Sequence, residues 1–193
     1  MPLAIGRERS LLDNGLPEPR YSRGMTLDAP CLLVASPMLM DPNFMHSVLL
    51  LVEHDDEGAL GIILNRQLPL PLAQICEESG LNFAGPDEAT AWRGGPVDPQ
   101  RGILLVEGGL PGPEDTVLDL THFVSHRKDL LEEFMTDPES RFRLFLGYAG
   151  WGPNQLDQEM EQGAWIQRPL KSGWLMHPDP TGLWTVAISA EPG

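Results

Sequence analysis

The run Val48-Leu49-Leu50-Leu51-Val52 is apolar at every position. Successive side chains of a strand point to opposite faces, so a half-exposed strand alternates in polarity and this one does not. Residues 47–54 therefore predict a strand covered on both sides. A polar turn, Asp55-Asp56-Glu57-Gly58, comes next, and Ala59-Leu60-Gly61-Ile62-Ile63-Leu64 is apolar again. The pair predicts a hairpin near the centre of a sheet. By the same criterion Cys31-Leu32-Leu33-Val34-Ala35 is a short buried strand, followed by a loop over residues 36–44 that contains two prolines.

Further along, Leu72, Ile75 and Cys76 recur at helical spacing, with Pro71 suited to the first helical position and Gly80 to the stop, so residues 71–79 predict a helix. Residues 102–107 and 142–148 predict strands, and 117–120 a shorter one. A helix over 125–135 gathers Leu130, Leu131, Phe134 and Met135 on one stripe, with Ser125 as N-cap and Pro138 beyond its end. Residues 149–152 predict a glycine-rich turn into an acidic helix over 153–162. Trp165, Trp174 and Trp184 mark a C-terminal stretch of short elements expected to cover the sheet's other face. One hairpin precedes the first helix and no βαβ alternation follows. The reading is an α+β domain with a mixed sheet rather than a doubly wound fold.

The 20 glycines and 19 prolines among 193 residues agree with many turns and short elements. Residues 1–27 mix Arg, Pro, Gly and Asp with little apolar periodicity and predict a flexible N-terminal tail, leaving 28–193 as one domain. No stretch has the length of a secretory apolar region or a membrane span. The expected location is the cytoplasm. Cys31 and Cys76 lack metal-ligand spacing and read as buried thiols of a reducing compartment.

Thirteen basic residues stand against 28 acidic ones, a formal net charge of -15. A surface of that sign repels phosphate backbones and anionic lipid, so direct nucleic-acid binding and membrane attachment are both disfavoured. The positive excess at the N-terminus, where Arg7, Arg9, Arg20 and Arg23 face three acidic residues, amounts to one charge.

Five stretches carry a family resemblance: Met40-Asp41-Pro42-Asn43-Phe44, residues 47–54, Gly58 to Arg66, Gly94-Gly95-Pro96-Val97 and Gly147-Tyr148-Ala149-Gly150-Trp151-Gly152-Pro153. In order and spacing they resemble the AlgH/YqgE-like family of bacterial proteins, from about Leu32 to Trp165. Gln67, Asn154 and Asp157 depart from its usual pattern. The resemblance implies an α+β fold whose mixed sheet curls strongly into a partial barrel with helices packed on it, and a cytosolic location. Family members are labelled uncharacterised proteins or transcriptional regulators. It implies no established catalytic residues and no agreed cofactor.

Candidate site residues follow from side-chain chemistry and position. Asp41 and Asn43 lie in one loop, where they could serve chemistry or simply cap local backbone amides. Glu53 and His54 end a strand, while Asn65 and Arg66 close the hairpin. Arg66 could clamp a carboxylate or phosphate or pair with Glu53 or Asp55. His122 and His126 stand four apart, but no third ligand accompanies them, so no metal is expected. Ser47 and Ser125 each adjoin a His without the Gly-x-Ser-x-Gly elbow of a hydrolase. The 147–153 turn is either a packing corner or an anion site, and Trp151 and Gln155 could anchor a partner.

The first functional reading is a non-enzymatic regulatory or adaptor protein, without cofactor. It would bind a protein or small ligand through the Asp41–Phe44 loop, the Gly94-Gly95-Pro96 turn and the Trp151 corner, because function concentrates in loops. The second is a small-molecule-binding protein or enzyme with Glu53, His54, Asn65 and Arg66 in one pocket. Convergence of those four side chains would separate the two.

Overall fold

The computed structural model describes residues 27–191, so the expected tail lies outside the described residues apart from Leu27, which is buried. β1 (Cys31–Ala35) pairs antiparallel with β2 (Val48–Asp55), and β2 with β3 (Gly58–Ile63). All five residues of β1 and the first five of β2 are buried, as their unbroken apolar sequence requires. Each Val or Leu side chain among them contributes roughly 1.5–3 kcal/mol relative to exposure. β10 (Trp165–Arg168) flanks β1 on its other side.

The second half of the sheet is assembled on β9 (Phe142–Trp151). One edge of β9 runs antiparallel to β6 (Val97–Glu107), which carries β8 (His122–Ser125) and then β7 (Thr116–Val117). The other edge is shared: β5 (Thr90–Arg93) lies parallel to it at Phe145 and Leu146, and β3 antiparallel to it at Ala149–Trp151. β4 (Gln67–Pro71) pairs with β5. The sheet is mixed but mainly antiparallel, and its path from β10 to β7 does not close.

Alternation along the strands gives each face its own cover. Leu32, Val34, Leu50, Ile62, Leu105 and Phe145 form one face, which packs under Trp174 and Leu175 of α4 (Ser172–Leu175) and Leu183 and Ala187 of α5 (Pro180–Ser189). The opposite face is covered in two patches. Leu33, Leu49 and Ile63 meet Leu156 and Met160 of α3 (Gln155–Glu161), whereas Leu104, Val106 and Leu144 meet α1 (Leu72–Glu78) and α2 (Lys128–Thr136). Cys31 and Cys76 are buried free thiols in different patches. Burial pushes the Cys31 thiol up to about 11 despite a hydrogen bond with Gln167.

Several elements depart from expectation. β6 begins at Val97 rather than 102, and its exposed first residues offer no apolar signal. Residues 122–125 form a strand, and α2 starts at Lys128 while the Ser125 hydroxyl accepts the Arg127 amide at 3.2 Å. Residues 149–151 continue β9 where a turn was expected. The ten-residue α5 is the largest surprise. Its Asp179 accepts the amides of Thr181 and Gly182, both at 3.0 Å, and Pro180 follows at the first helical position.

The glycines of the 94–95 and 147 motifs make one crossing. Gly94 donates to Leu146 O at 2.9 Å and accepts from Ile63 N at 2.8 Å. A Cβ on Gly94 would fall on the Gly147 carbonyl, and one on Gly95 on the Tyr148 carbonyl. Gly147 itself sits at φ +72, where β6 bulges against β9. Gly94→Ala is expected to destabilise the fold by at least about 2 kcal/mol, because backbone must move to admit the methyl. Gly152→Ala, whose Cβ would meet no heavy atom within 4 Å, should stay within about 0.5 kcal/mol. Urea unfolding of the two variants measures the difference.

Candidate functional site

The connection between β1 and β2, residues 36–47, is built from short polar contacts. Asp41 Oδ1 accepts the Asn43 amide at 2.7 Å, and the Asp41 carbonyl accepts those of Phe44 and Met45 at 2.9 and 2.7 Å. This is the local capping that Asp and Asn favour in turns. Three side chains from elsewhere then tie the loop down. Arg66 donates to the carbonyls of Pro42 and Met45 at 3.2 and 3.1 Å. Asn65 accepts from Val48 N at 2.9 Å and donates to His46 O at 3.0 Å. Arg93 donates to Asn43 Oδ1 at 2.9 Å. Burial first, and then the neighbouring Arg93, lowers the Arg66 guanidinium from its ordinary value, with Asp41 opposing.

Asp41, Asn43, Asn65 and Arg66 are therefore brought together around one loop, with the Gly94-Gly95-Pro96 turn immediately after Arg93. Arg66 pairs with neither Glu53 nor Asp55. The large apolar side chains that the loop presents to water are Met38 and Met40, 83% and 74% exposed. Apart from the place of Met40 in the resemblance, the sequence marks neither, because a methionine in an aperiodic stretch gives no signal.

Phe44 turns inward. Its ring stacks 6.3 Å from Trp151 and meets Trp165 edge-on at 5.6 Å. Glu159 Oε2 accepts both indole N–H groups, at 2.9 and 2.8 Å. Gln155 bridges from the Gly152 amide to Glu159 Oε1. Trp151 is only 7% exposed, so it and Gln155 hold the β9–α3 corner together. Glu159 is a central tie that the sequence left unmarked.

Glu53, His54, Asn65 and Arg66 do not share a pocket. Glu53 lines an open cleft of about 460 Å³ with Asp55, Glu57, Leu60 and Tyr148. His54 is held between the Leu27 carbonyl at 3.2 Å and Asp157 at 3.3 Å. Asn65 and Arg66 lie beyond the other end of β3. Ser47 donates to the Phe44 carbonyl at 2.7 Å, while the adjacent His46 ring packs on Trp184 at 4.4 Å. No nucleophile–base pair forms there.

Along extended backbone the spacing of His122 and His126 corresponds to about 13 Å, too far for a shared ion. Among the described residues no group of three His, Cys, Asp or Glu side chains is placed to hold a metal, and no helix is long and apolar enough to cross a membrane.

His122 instead lies 3.0 Å from Asp119, which accepts the amides of Thr121 and His122 at 2.8 Å and the Ser172 hydroxyl at 2.6 Å. Burial alone would raise the Asp119 carboxyl, but the bonds from Ser172, Thr121 and His122 outweigh it and hold the group well below the usual carboxylate range. A depressed carboxyl stabilises the fold above its unfolded value near pH 3.9 and loses that contribution as pH falls further. Asp119→Asn should therefore cost about 2 kcal/mol at pH 7, and the gap to wild type should narrow below about pH 4. Denaturant titrations at the two pH values check both statements.

A family model described as AlgH-like matches residues 32–192. A UPF0301 protein of Myxococcus xanthus is 38% identical over 161 residues, 83% of this chain and 88% of that protein. Another from Streptomyces coelicolor is 37% identical over 167 residues, 84% and 86% of the two chains. The solution structure of the AlgH protein from Pseudomonas aeruginosa matches with a TM-score of 0.70 at 31% identity, covering 86% of this chain and 94% of that one. A crystal structure of a Corynebacterium diphtheriae protein shares the fold at 23% identity, with a TM-score of 0.70 over 86% and 89% of the chains.

Proposed function

This chain belongs to the AlgH-like family, and we propose that it acts as a non-enzymatic adaptor that docks on a partner protein through the 36–47 loop. Met38 and Met40 insert into an apolar groove of the partner, and regulation follows from that contact. The observation that carries the reading is the combination of a firmly tied backbone with two methionines in water. Exposed methionine costs apolar hydration, and its unbranched thioether chain adapts to irregular partner surfaces. Side-chain bonds hold residues 42, 43, 45, 46 and 48 and Ser36 holds the amides of Met38 and Leu39, so less ordering entropy is lost on docking.

The dispersal of Glu53, His54, Asn65 and Arg66 supports docking over catalysis, since general acid–base work needs groups within reach of one substrate. The net charge of -15 favours a protein partner over a phosphate backbone. Any effect on transcription is exerted through that partner.

Tagged wild-type protein and a Met38→Asp/Met40→Asp variant, both with nuclease treatment, are compared in pull-downs from the native cell extract. A stoichiometric partner is expected with wild type and not with the variant, whose melting temperature should stay within about 2 °C because both side chains are exposed. A partner retained by the variant, or none bound by either form, would overturn the docking reading.

A further inference from the structure

Nine basic side chains fall among residues 27–191, and six of them lie on separate fold contacts. Arg66, Arg93 and Arg168 bond backbone or amide oxygens, Arg143 stacks on Trp92, Arg141 pairs with Glu107, and Lys171 lies over Trp174. The remaining three, Arg101, Arg127 and Lys128, line one cleft of about 390 Å³ between β6 and the start of α2. His126 lies in the same wall, and Leu104 and Leu131 supply apolar surface. The carboxylates paired with two of them, Asp115, Asp129 and Glu132, stand outside that lining.

The three cations differ in how far they are neutralised. Arg127 is forked between Asp129 at 2.6 Å and Asp115 at 3.7 Å, and Lys128 lies 3.6 Å from Glu132. Arg101 has no carboxylate within 4.0 Å among the described residues. Its guanidinium carbon stands 5.5 Å from the Tyr148 ring centroid, a weak contact that leaves its N–H groups available. The N-cap residue Arg127 makes no side-chain cap, and the first-turn carboxylate of Asp129 offsets the positive end of α2. Burial and the charge of Arg101 lower His126 from its ordinary value, against Glu53 and Asp115. Arg101 thus acts on the imidazole alongside the opposing carboxylates of Glu53 and Asp115.

We propose that this cleft binds a small organic phosphate, with the phosphate group on Arg101, His126, Arg127 and Lys128 and an apolar or aromatic body on Leu104 and Leu131. Donors that line one cleft from β6, the β8–α2 connection and α2 suit a tetrahedral anion, which accepts bonds in several directions. The volume falls within the range of small-molecule sites. The site is distinct from the docking loop and does not rest on it.

The test is a titration of the full-length protein with phenyl phosphate, followed by NMR at the His126 imidazole, with inorganic phosphate run in parallel. Saturable shifts with a Kd below about 1 mM are expected for phenyl phosphate, and binding about tenfold weaker for inorganic phosphate, which lacks the apolar body. Arg101→Gln, an exposed substitution that should leave the melting temperature unchanged, is expected to weaken phenyl phosphate at least about tenfold. An imidazole that does not respond at about 10 mM ligand, or an Arg101→Gln protein that binds as wild type does, would overturn the site. Equal affinity for the two phosphates would overturn the assignment of an organic ligand.

Discussion

Gly94 is hydrogen-bonded to both halves of the sheet at once, through its N–H to Leu146 of β9 and through its carbonyl to Ile63 of β3. The backbone reaches both only because neither Gly94 nor Gly95 carries a Cβ, which would occupy the space of the Gly147 and Tyr148 carbonyls. A single methyl there sets hard-sphere repulsion against hydrogen bonds worth about 1 kcal/mol each, and repulsion prevails. The parallel step of β5 onto β9, the handover of that edge to β3 and the bulge at Gly147 all depend on this crossing. Helices cover the sheet on either face.

The crossing also organises the polar loop. Arg93, one residue before it, reaches Asn43, and its amide donates to the Arg66 carbonyl at 2.8 Å. Arg66 in turn holds the carbonyls of Pro42 and Met45. Residues far apart in sequence thus bond one short stretch of backbone whose own amides are partly satisfied by Asp41. These groups act as mechanical ties. The free energy they supply keeps a loop in one conformation while its two methionines stay in water.

Charge is distributed unevenly over the same frame. Glu53, Asp55 and Glu57 line the cleft at the β2–β3 turn, and Asp55 is partly committed to the turn itself by accepting the Glu57 amide at 2.8 Å. Arg101, Arg127 and Lys128 gather at the head of α2. Exposed charges further apart than about 10 Å are largely screened at ordinary salt. Each cleft is therefore governed by its local charges more than by the net charge of the chain.

The strands 31–35, 48–55 and 58–63 were legible because burial on both faces demands an unbroken apolar sequence, and the capping role of Asp41 because Asp bonds backbone two residues on. The helix 180–189 was obscured by its nearly all-round apolar sequence, Pro-Thr-Gly-Leu-Trp-Thr-Val-Ala-Ile-Ser, which shows no stripe, although Asp179-Pro180 marked its start. His122–Ser125 is a buried four-residue run that periodicity cannot separate from a helical turn. The sequence by itself determined where the chain must be covered and what net charge its surface bears, since both are sums over side chains. Only the tertiary structure decided that Gly94 and Gly147 meet, that Trp151 is corner rather than surface, and that Arg101 faces the head of α2. Those outcomes depend on atoms brought within a few ångströms from distant positions, and local pattern does not encode that distance.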